Sequence, residues 1–421
     1  MAYKKTVLDN GIRIVTERMP GVHSASLGLC FEVGSRCESE RENGVCHFIE
    51  HMVFKGTRHR TARRIAQEMD SIGGSMDAMT GRESTLYYAK VQAGKVGAAM
   101  EILADILLHP LFDEKEMAHE RQVVLEEIKM YDDTPDELIH DHFAQAVWRD
   151  HPLGRPVLGT REILRRQSRD QVHDFYRSHY DPSAMIAAAA GAVDHQKIVK
   201  LVRRHFGGLR RRVPAPAVSR PAVSAGLHFS PRKLEQVHFC LGGEAMAFRD
   251  PRRHAMTVLN SLLGSSMSSR LFQELREKRG LAYSVYSYHD AYRDTGLWLA
   301  YVGTSPGHFA EAVRVILDQL GRLGKRGVTA AELRRAKESL KGSLILGFES
   351  TSSRLSMLVR GESYFGRPFS EKELLDGFDR VQAGEVRDLA REYFEEKKLS
   401  LVSLGPVGPG DLKGLKSRFS S

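Results

Sequence analysis

His47, Glu50 and His51 stand in the order His-Phe-Ile-Glu-His, two imidazoles four residues apart with a carboxylate beside the second. On a helix that spacing puts both rings on one face, where they can meet one metal ion, and the acid between them can take a proton from water held there. With 18 His and 53 acidic residues in 421, about 0.1 such patterns per chain arise by chance. A third ligand has to decide. Glu120 and Glu127, seven residues apart, share one face of a later helical stretch. Glu127 can complete a two-His, one-carboxylate set with a fourth tetrahedral position left for water, and Glu120 can accept the second ring proton of a ligating imidazole.

The elements that must position these groups are legible from periodicity. Asn43 to Phe54 reads as a helix with Val45, Phe48 and Met52 as its apolar stripe, ended by Gly56 as a C-cap. Asp113 to Met130 reads as a second helix, opened by Asp113 and Glu116 as a capping box and buried along Met117, Val124, Ile128 and Tyr131. Further helices are predicted over Ala62 to Ile72 and Lys95 to Leu108, and strands over Ile12 to Glu17, Ser24 to Val33 and Leu86 to Val91. In the second of these strands Ala25, Leu27, Leu29 and Phe31 alternate with smaller or polar residues, the pattern of a sheet covered on one face.

A proline-rich stretch, residues 210 to 226, lies at the midpoint of the chain and reads as a linker between domains at 1 to 209 and 227 to 421. The two sides look like copies. Val172, Asp174, Arg177, Tyr180 and Gly191 match Val386, Asp388, Arg391, Phe394 and Gly405 at one offset, and Arg64, Gln67, Glu68 and Gly74 match Arg270, Gln273, Glu274 and Gly280 at another. Each half mixes strands and helices without regular alternation, which predicts an α+β fold of two homologous halves, each a largely antiparallel sheet packed against helices.

Composition narrows the class. The chain is 42% hydrophobic and 27% charged, ordinary for a soluble globular protein. Its net charge of +9 is spread among acids instead of forming a basic stripe with aromatics, so no nucleic-acid partner is expected. A polar N-terminus and the shortness of the most apolar run, Met185 to Val193, predict a cytoplasmic protein with no membrane span. Cys30, Cys37, Cys46 and Cys240 match no zinc-ribbon spacing and read as structural thiols.

With these motifs in hand the chain resembles the pitrilysin-type, inverted-motif zinc metallopeptidases, in particular the catalytic subunit of the mitochondrial processing peptidase and its bacterial relatives. The likeness rests on His47-Phe-Ile-Glu-His51, on Glu120-Arg-Gln-Val-Val-Leu-Glu-Glu127 and on His51-Met-Val-Phe-Lys-Gly-Thr57, and it runs from about Thr6 to Pro406. It implies one zinc per chain held by His47, His51 and Glu127, Glu50 as general base, and Glu120 as the acid behind the ligands. It also implies hydrolysis of extended peptides or unfolded segments, which add as an extra strand along Asp77, Ala78 and Thr80, with Phe54 beside them. Similar proteins of this length form dimers, so a homodimer, or a heterodimer with a related chain, is expected.

In the second half Arg253, Met256 and Thr257 stand where His47, Glu50 and His51 stand in the first, so no second copy of the metal site is expected. There the resemblance instead implies that Arg276 and Tyr283 reach substrate and stabilise its oxyanion. It implies too that Glu137 and Asp141 receive a basic substrate residue, although Thr134-Pro-Asp-Glu137 also reads as a plain capping box. The competing reading is a non-catalytic partner subunit of a processing complex; such relatives lose part of the metal set, and this chain retains all of it.

Overall fold

The computed structural model describes residues 3–210, 219–412 and 414–419. Among the described residues eleven strands run in chain order: β1 (Tyr3–Val7), β2 (Arg13–Arg18), β3 (Ser24–Phe31), β4 (Ser75–Thr80), β5 (Thr85–Gln92), β6 (Met185–Gly191), β7 (Leu227–Pro231), β8 (Val237–Ala245), β9 (Ala282–Ala291), β10 (Gly296–Thr304) and β11 (Ser400–Gly405). The helices of the first repeat are α1 (Val45–Val53), α2 (Ala62–Ser71), α3 (Val96–Leu108), α4 (Glu114–Asp132), α5 (Pro135–Val147), α6 (Arg161–Arg166), α7 (Arg169–His179) and α8 (His195–Phe206). Those of the second are α9 (Arg253–Leu263), α10 (Phe309–Arg326), α11 (Ala330–Phe348), α12 (Thr351–Phe365), α13 (Glu371–Asp379) and α14 (Ala383–Tyr393), with a π-helical turn at Phe272–Glu277. Every strand and helix predicted in the first repeat is present, with ends shifted by no more than two residues, as fraying and capping allow.

Two sheets carry the fold. The first has the order β1-β2-β6-β3-β5-β4 and the second β7-β11-β8-β10-β9. Apart from the edge strand β1 these are one pattern: β2 and β6 are parallel, as are β7 and β11, and every other pairing is antiparallel. The duplication seen as matched residues is thus also a duplication of topology.

The compact units do not coincide with the predicted halves. One consists of Met1–Lys129, Arg155–Ser219 and Ile345–Glu373, the other of Met130–Gly154, Arg220–Leu344 and Leu374–Ser421. Each takes a helix from the opposite repeat because that helix has an apolar face to bury. In the first unit α12 packs on β2, β3 and β6, setting Leu355, Leu358 and Val359 against Cys30, Leu86, Ile186 and Ala188. In the second, α5 packs on β8 and β11, setting Leu138, Ile139 and Phe143 against Cys240, Leu299 and Val402. Each such side chain stabilises by about 1.5–3 kcal/mol when fully buried. Residues 211 to 218 of the predicted linker lie outside the described residues.

This exchange corrects the one-sided reading of β3, which is buried on both faces from Ala25 onward. Its small residues are small because a helix lies on them. A Cβ at Gly28 would come within 3.0 Å of Leu86 and 3.2 Å of Leu355, and the Ser26 hydroxyl donates to Thr351 at 2.9 Å. A buried ion pair, Arg354 Nε to Glu17 Oε2 at 2.9 Å, ties α12 to β2 in the same layer. The other face of the sheet carries the main core, where Leu27, Leu29, Tyr87 and Ala89 meet Phe48, Ile49 and Met52 of α1 and residues of α3 and α8.

Candidate metal centre

Helix α1 is set by its buried stripe and by its first turn. Gly44 precedes it at φ +92°, and a Cβ there would lie 2.8 Å from Gly159 and from the Leu158 carbonyl, so glycine is required. The Glu38 carboxylate accepts the Gly44 and Cys46 N–H groups at 2.8 and 2.9 Å, in place of a side-chain N-cap. Burial pushes this carboxyl up to about 7 despite those donors. At the other end Phe54, not Gly56, is the C-cap; Gly56 lies two residues beyond at φ +125°.

With α1 and α4 side by side in one unit, the three predicted ligands converge. His47 Nε2 lies 3.7 Å from one oxygen of Glu127 and His51 Nε2 lies 3.6 Å from the other, with the imidazole centroids 4.6 Å apart. Those gaps are too long for hydrogen bonds and close to the edges of a coordination polyhedron. Burial, reinforced by His51, holds His47 down to about 4, so its ring is neutral with a lone pair to give. Burial pushes the Glu127 carboxyl up, opposed by His51. Two imidazoles and one carboxylate, a third of it open to solvent, make a donor set that suits zinc.

Glu120 sits behind the ligands. Its Oε1 lies 2.8 Å from His51 Nδ1 and its Oε2 2.6 Å from the Lys55 ammonium. Burial works against its charge, but the bonds from Lys55 and His51 outweigh it and hold the carboxyl below its ordinary value. Lys55, two residues past the end of α1, was missed in the sequence. Glu50 accepts a hydrogen bond from the Thr80 hydroxyl, and burial raises its pKa against that bond and the nearby His51. The structure therefore gives Thr80 a contact with Glu50 that its predicted place along a substrate strand did not include.

Strand β4 is the edge of the first sheet, and along it Asp77 is exposed while Ala78 and Thr80 are half-buried. Phe54, half-buried, packs its ring 6.4 Å from that of Tyr87. Arg276 and Tyr283 belong to the second unit and meet each other, the guanidinium 4.8 Å from the phenol centroid. Tyr283 is 79% exposed, not the packed strand residue its position at the start of β9 suggests. Glu137 and Asp141 lie on α5, also in the second unit. The capping box expected for Thr134 and Glu137 is absent: the Thr134 hydroxyl donates to the Met130 carbonyl of the preceding turn, and Pro135 alone marks the helix start.

In α9 the positions matching His47, Glu50 and His51 hold half-buried Arg253, fully buried Met256 and exposed Thr257, whose hydroxyl turns back to the Arg253 carbonyl. Laid start to start, the 19-residue helices α4 and α11 put Ala336 opposite Glu120 and Ser343 opposite Glu127. Among the described residues no metal-ligating cluster occurs in the second repeat. The four cysteines are free thiols, three of them buried, and burial pushes Cys30 up to about 12.

Residues 13–161 match the family model of insulinase (peptidase family M16), and residues 167–340 match that of the peptidase M16 inactive domain. The uncharacterized zinc protease SCO5738 of Streptomyces coelicolor is 41% identical, covering 96% of this chain and 90% of that protein. The uncharacterized zinc protease YmxG of Bacillus subtilis is 39% identical, covering 95% and 98%. Among solved structures, a protease from Helicobacter pylori superposes with a TM-score of 0.90 at 25% identity over 96% of this chain and 99% of that one. A Pseudomonas fluorescens chain described as a peptidase M16 inactive domain shares the fold, with a TM-score of 0.90 at 19% identity over 97% and 98%. Both sheets, the inverted histidine motif and this kinship along nearly the whole length lead to one conclusion: the chain belongs to peptidase family M16, the pitrilysin-type zinc proteases.

Proposed function

We propose that this protein is a zinc metalloendopeptidase that cleaves extended peptides or unfolded polypeptide segments, with one zinc per chain held by His47, His51 and Glu127. The observation that carries the reading is the convergence of His47 Nε2, His51 Nε2 and the Glu127 carboxylate beside a fourth group, Glu50, which belongs to α1 and is tethered to β4 by Thr80. A bound zinc supplies Lewis acidity, lowering the pKa of a coordinated water to about 7 and polarising the scissile carbonyl. The remaining work falls to the chain itself. Glu50 takes the proton of the attacking water and hands it to the leaving amine, and its raised pKa suits both halves of that task. Glu120 accepts the Nδ1–H of His51, fixing the tautomer whose Nε2 lone pair faces Glu127, while Lys55 keeps Glu120 ionised.

The free edge of β4 lets a peptide add as a strand through main-chain hydrogen bonds, which favours extended substrates over folded ones. Asp77 and Ala78 are proposed to line that strand, and Phe54 to lie along the path. In the second unit the stacked Arg276 and Tyr283 offer a cation and a phenol to negative charge on the substrate, and Glu137 and Asp141 offer acids to a basic residue. The protein is proposed to act as a homodimer or paired with a related chain.

The test is hydrolysis of an internally quenched peptide with Arg near its centre, by wild type, by Glu50→Gln and by chelated protein refilled with zinc. The expected outcome is a fall of about 10²–10⁴-fold in Glu50→Gln with zinc content unchanged, and full recovery of the wild type on refilling. Zinc-loaded wild type that leaves every peptide intact would point to a partner-subunit role instead.

A further inference from the structure

A second set of metal donors lies in the first unit, away from α1's ligand face. His59 stands in the turn that follows α1, His109 is the C-cap of α3, and Asp105 lies one turn earlier on α3. The Nδ1 atoms of both imidazoles are 3.1 Å from the same oxygen, Asp105 Oδ1, and the ring centroids are 4.7 Å apart. The other oxygen, Oδ2, is held from behind by the Thr57 hydroxyl at 2.7 Å and the Arg60 guanidinium at 2.9 Å. Asp105 is therefore buried and fixed in orientation, while the histidine side chains are 55% and 37% exposed. Donors around a tetrahedral ion with bonds of 2.0–2.1 Å lie about 3.3 Å apart, so the spacing here is already close to that of a ligand set. Arg60 does not bar a cation, because Glu68 and Glu101 pair with it as well as Asp105. Glu101 and His205 border the same surface depression, of about 340 Å³, which leaves room for a further ligand or water.

We propose that His59, Asp105 and His109 form a second, solvent-open binding site for a transition-metal ion of the zinc type, distinct from the His47, His51 and Glu127 set. Two imidazole nitrogens and one carboxylate select such an ion over magnesium or calcium, which require oxygen donors. Without metal, an Nδ1–H on each imidazole can donate to Asp105 Oδ1, 3.1 Å away. On loading, that proton resides on Nε2, both Nδ1 lone pairs pass to the ion, and two hydrogen bonds are exchanged for coordinate bonds. The ion would pin the turn after α1 to the end of α3 without touching Glu50.

The test is equilibrium dialysis of the full-length protein against micromolar zinc, followed by elemental analysis, in wild type, His59→Gln/His109→Gln and His47→Gln/His51→Gln. The wild type is expected to hold one more equivalent than His59→Gln/His109→Gln, and His47→Gln/His51→Gln to retain one. Equal zinc in the wild type and His59→Gln/His109→Gln overturns the site. Because His47 is buried, the partly exposed Glu127→Ser serves as a second background. There zinc, but not magnesium, is expected to raise the melting temperature by about 2–4 °C, and adding His59→Gln/His109→Gln is expected to abolish that rise. A rise that survives those substitutions, or one that magnesium reproduces, overturns the proposal.

Discussion

The two repeats share one sheet topology apart from β1, and one carries a metal-donor set where the other does not. In α1 and α4 the inward positions hold His47, Glu50, His51, Glu120 and Glu127; in α9 and α11 their counterparts are Arg253, Met256, Thr257, Ala336 and Ser343. The backbone frame is thus indifferent to the chemistry. In the first repeat two of the buried acids have partners that work against their burial: Thr80 for Glu50, Lys55 and His51 for Glu120. In the second repeat the counterparts of Glu50 and Glu120 are apolar, with Met256 fully buried and Ala336 nearly so.

The sharpest way to break this contrast is to make the first repeat resemble the second. Glu127→Ser is expected to drop zinc at His47 and His51 to background and to lower peptide hydrolysis by about 10³-fold or more, equivalent to some 4 kcal/mol of transition-state stabilisation. Metal analysis and turnover measured on the same preparation check it.

Next in size is the exchanged helix. Glu17→Gln leaves Arg354 charged and buried without its carboxylate, although Glu371 lies 3.3 Å away at the rim. Removing one member of such a pair costs about 3–5 kcal/mol; urea unfolding followed by tryptophan fluorescence and circular dichroism should show the loss, with no matching change in zinc content. Glu120→Ala, copying Ala336, is expected to weaken zinc binding by about 10–100-fold, read by competition with a chelator.

The smallest expected effect belongs to the second repeat. Arg270 and the Thr329 N–H hold Glu332 down to about 2 in spite of its partial burial. A depressed carboxyl stabilises the fold above its ordinary pKa near 4.5, and that stability is lost as pH falls from there toward 2. Glu332→Gln is therefore expected to cost about 1–2 kcal/mol at pH 7, after allowance for solvent screening, and progressively less below pH 4. Unfolding midpoints across that range give the check.

Much of this was readable from the sequence because it is local. The ligands on α1 follow from helical spacing, the strands from alternation, and the family from motifs that lie within short windows. What escaped was long-range. Nothing near Ser26 or Gly28 announces that Leu355 and Thr351 will cover them, so β3 reads as one-sided until α12 is in place. The Thr134 cap failed because its hydroxyl found the Met130 carbonyl first, an alternative local bond that composition cannot rank. His59 and His109 are fifty residues apart and share no motif; only the packing of the turn after α1 against α3 brings them to one carboxylate.

The exchange of α12 also sets a schedule for synthesis. When β6 has left the ribosome every strand of the first sheet exists, yet the helix that covers one of its faces is encoded some 170 residues later. At 5–20 residues per second that interval is roughly ten to thirty seconds, during which Cys30, Leu86 and Ile186 have no native cover. A nascent chain of this protein should accordingly be a client for chaperones that hold exposed apolar sheet, and should release them only as Leu355, Leu358 and Val359 emerge.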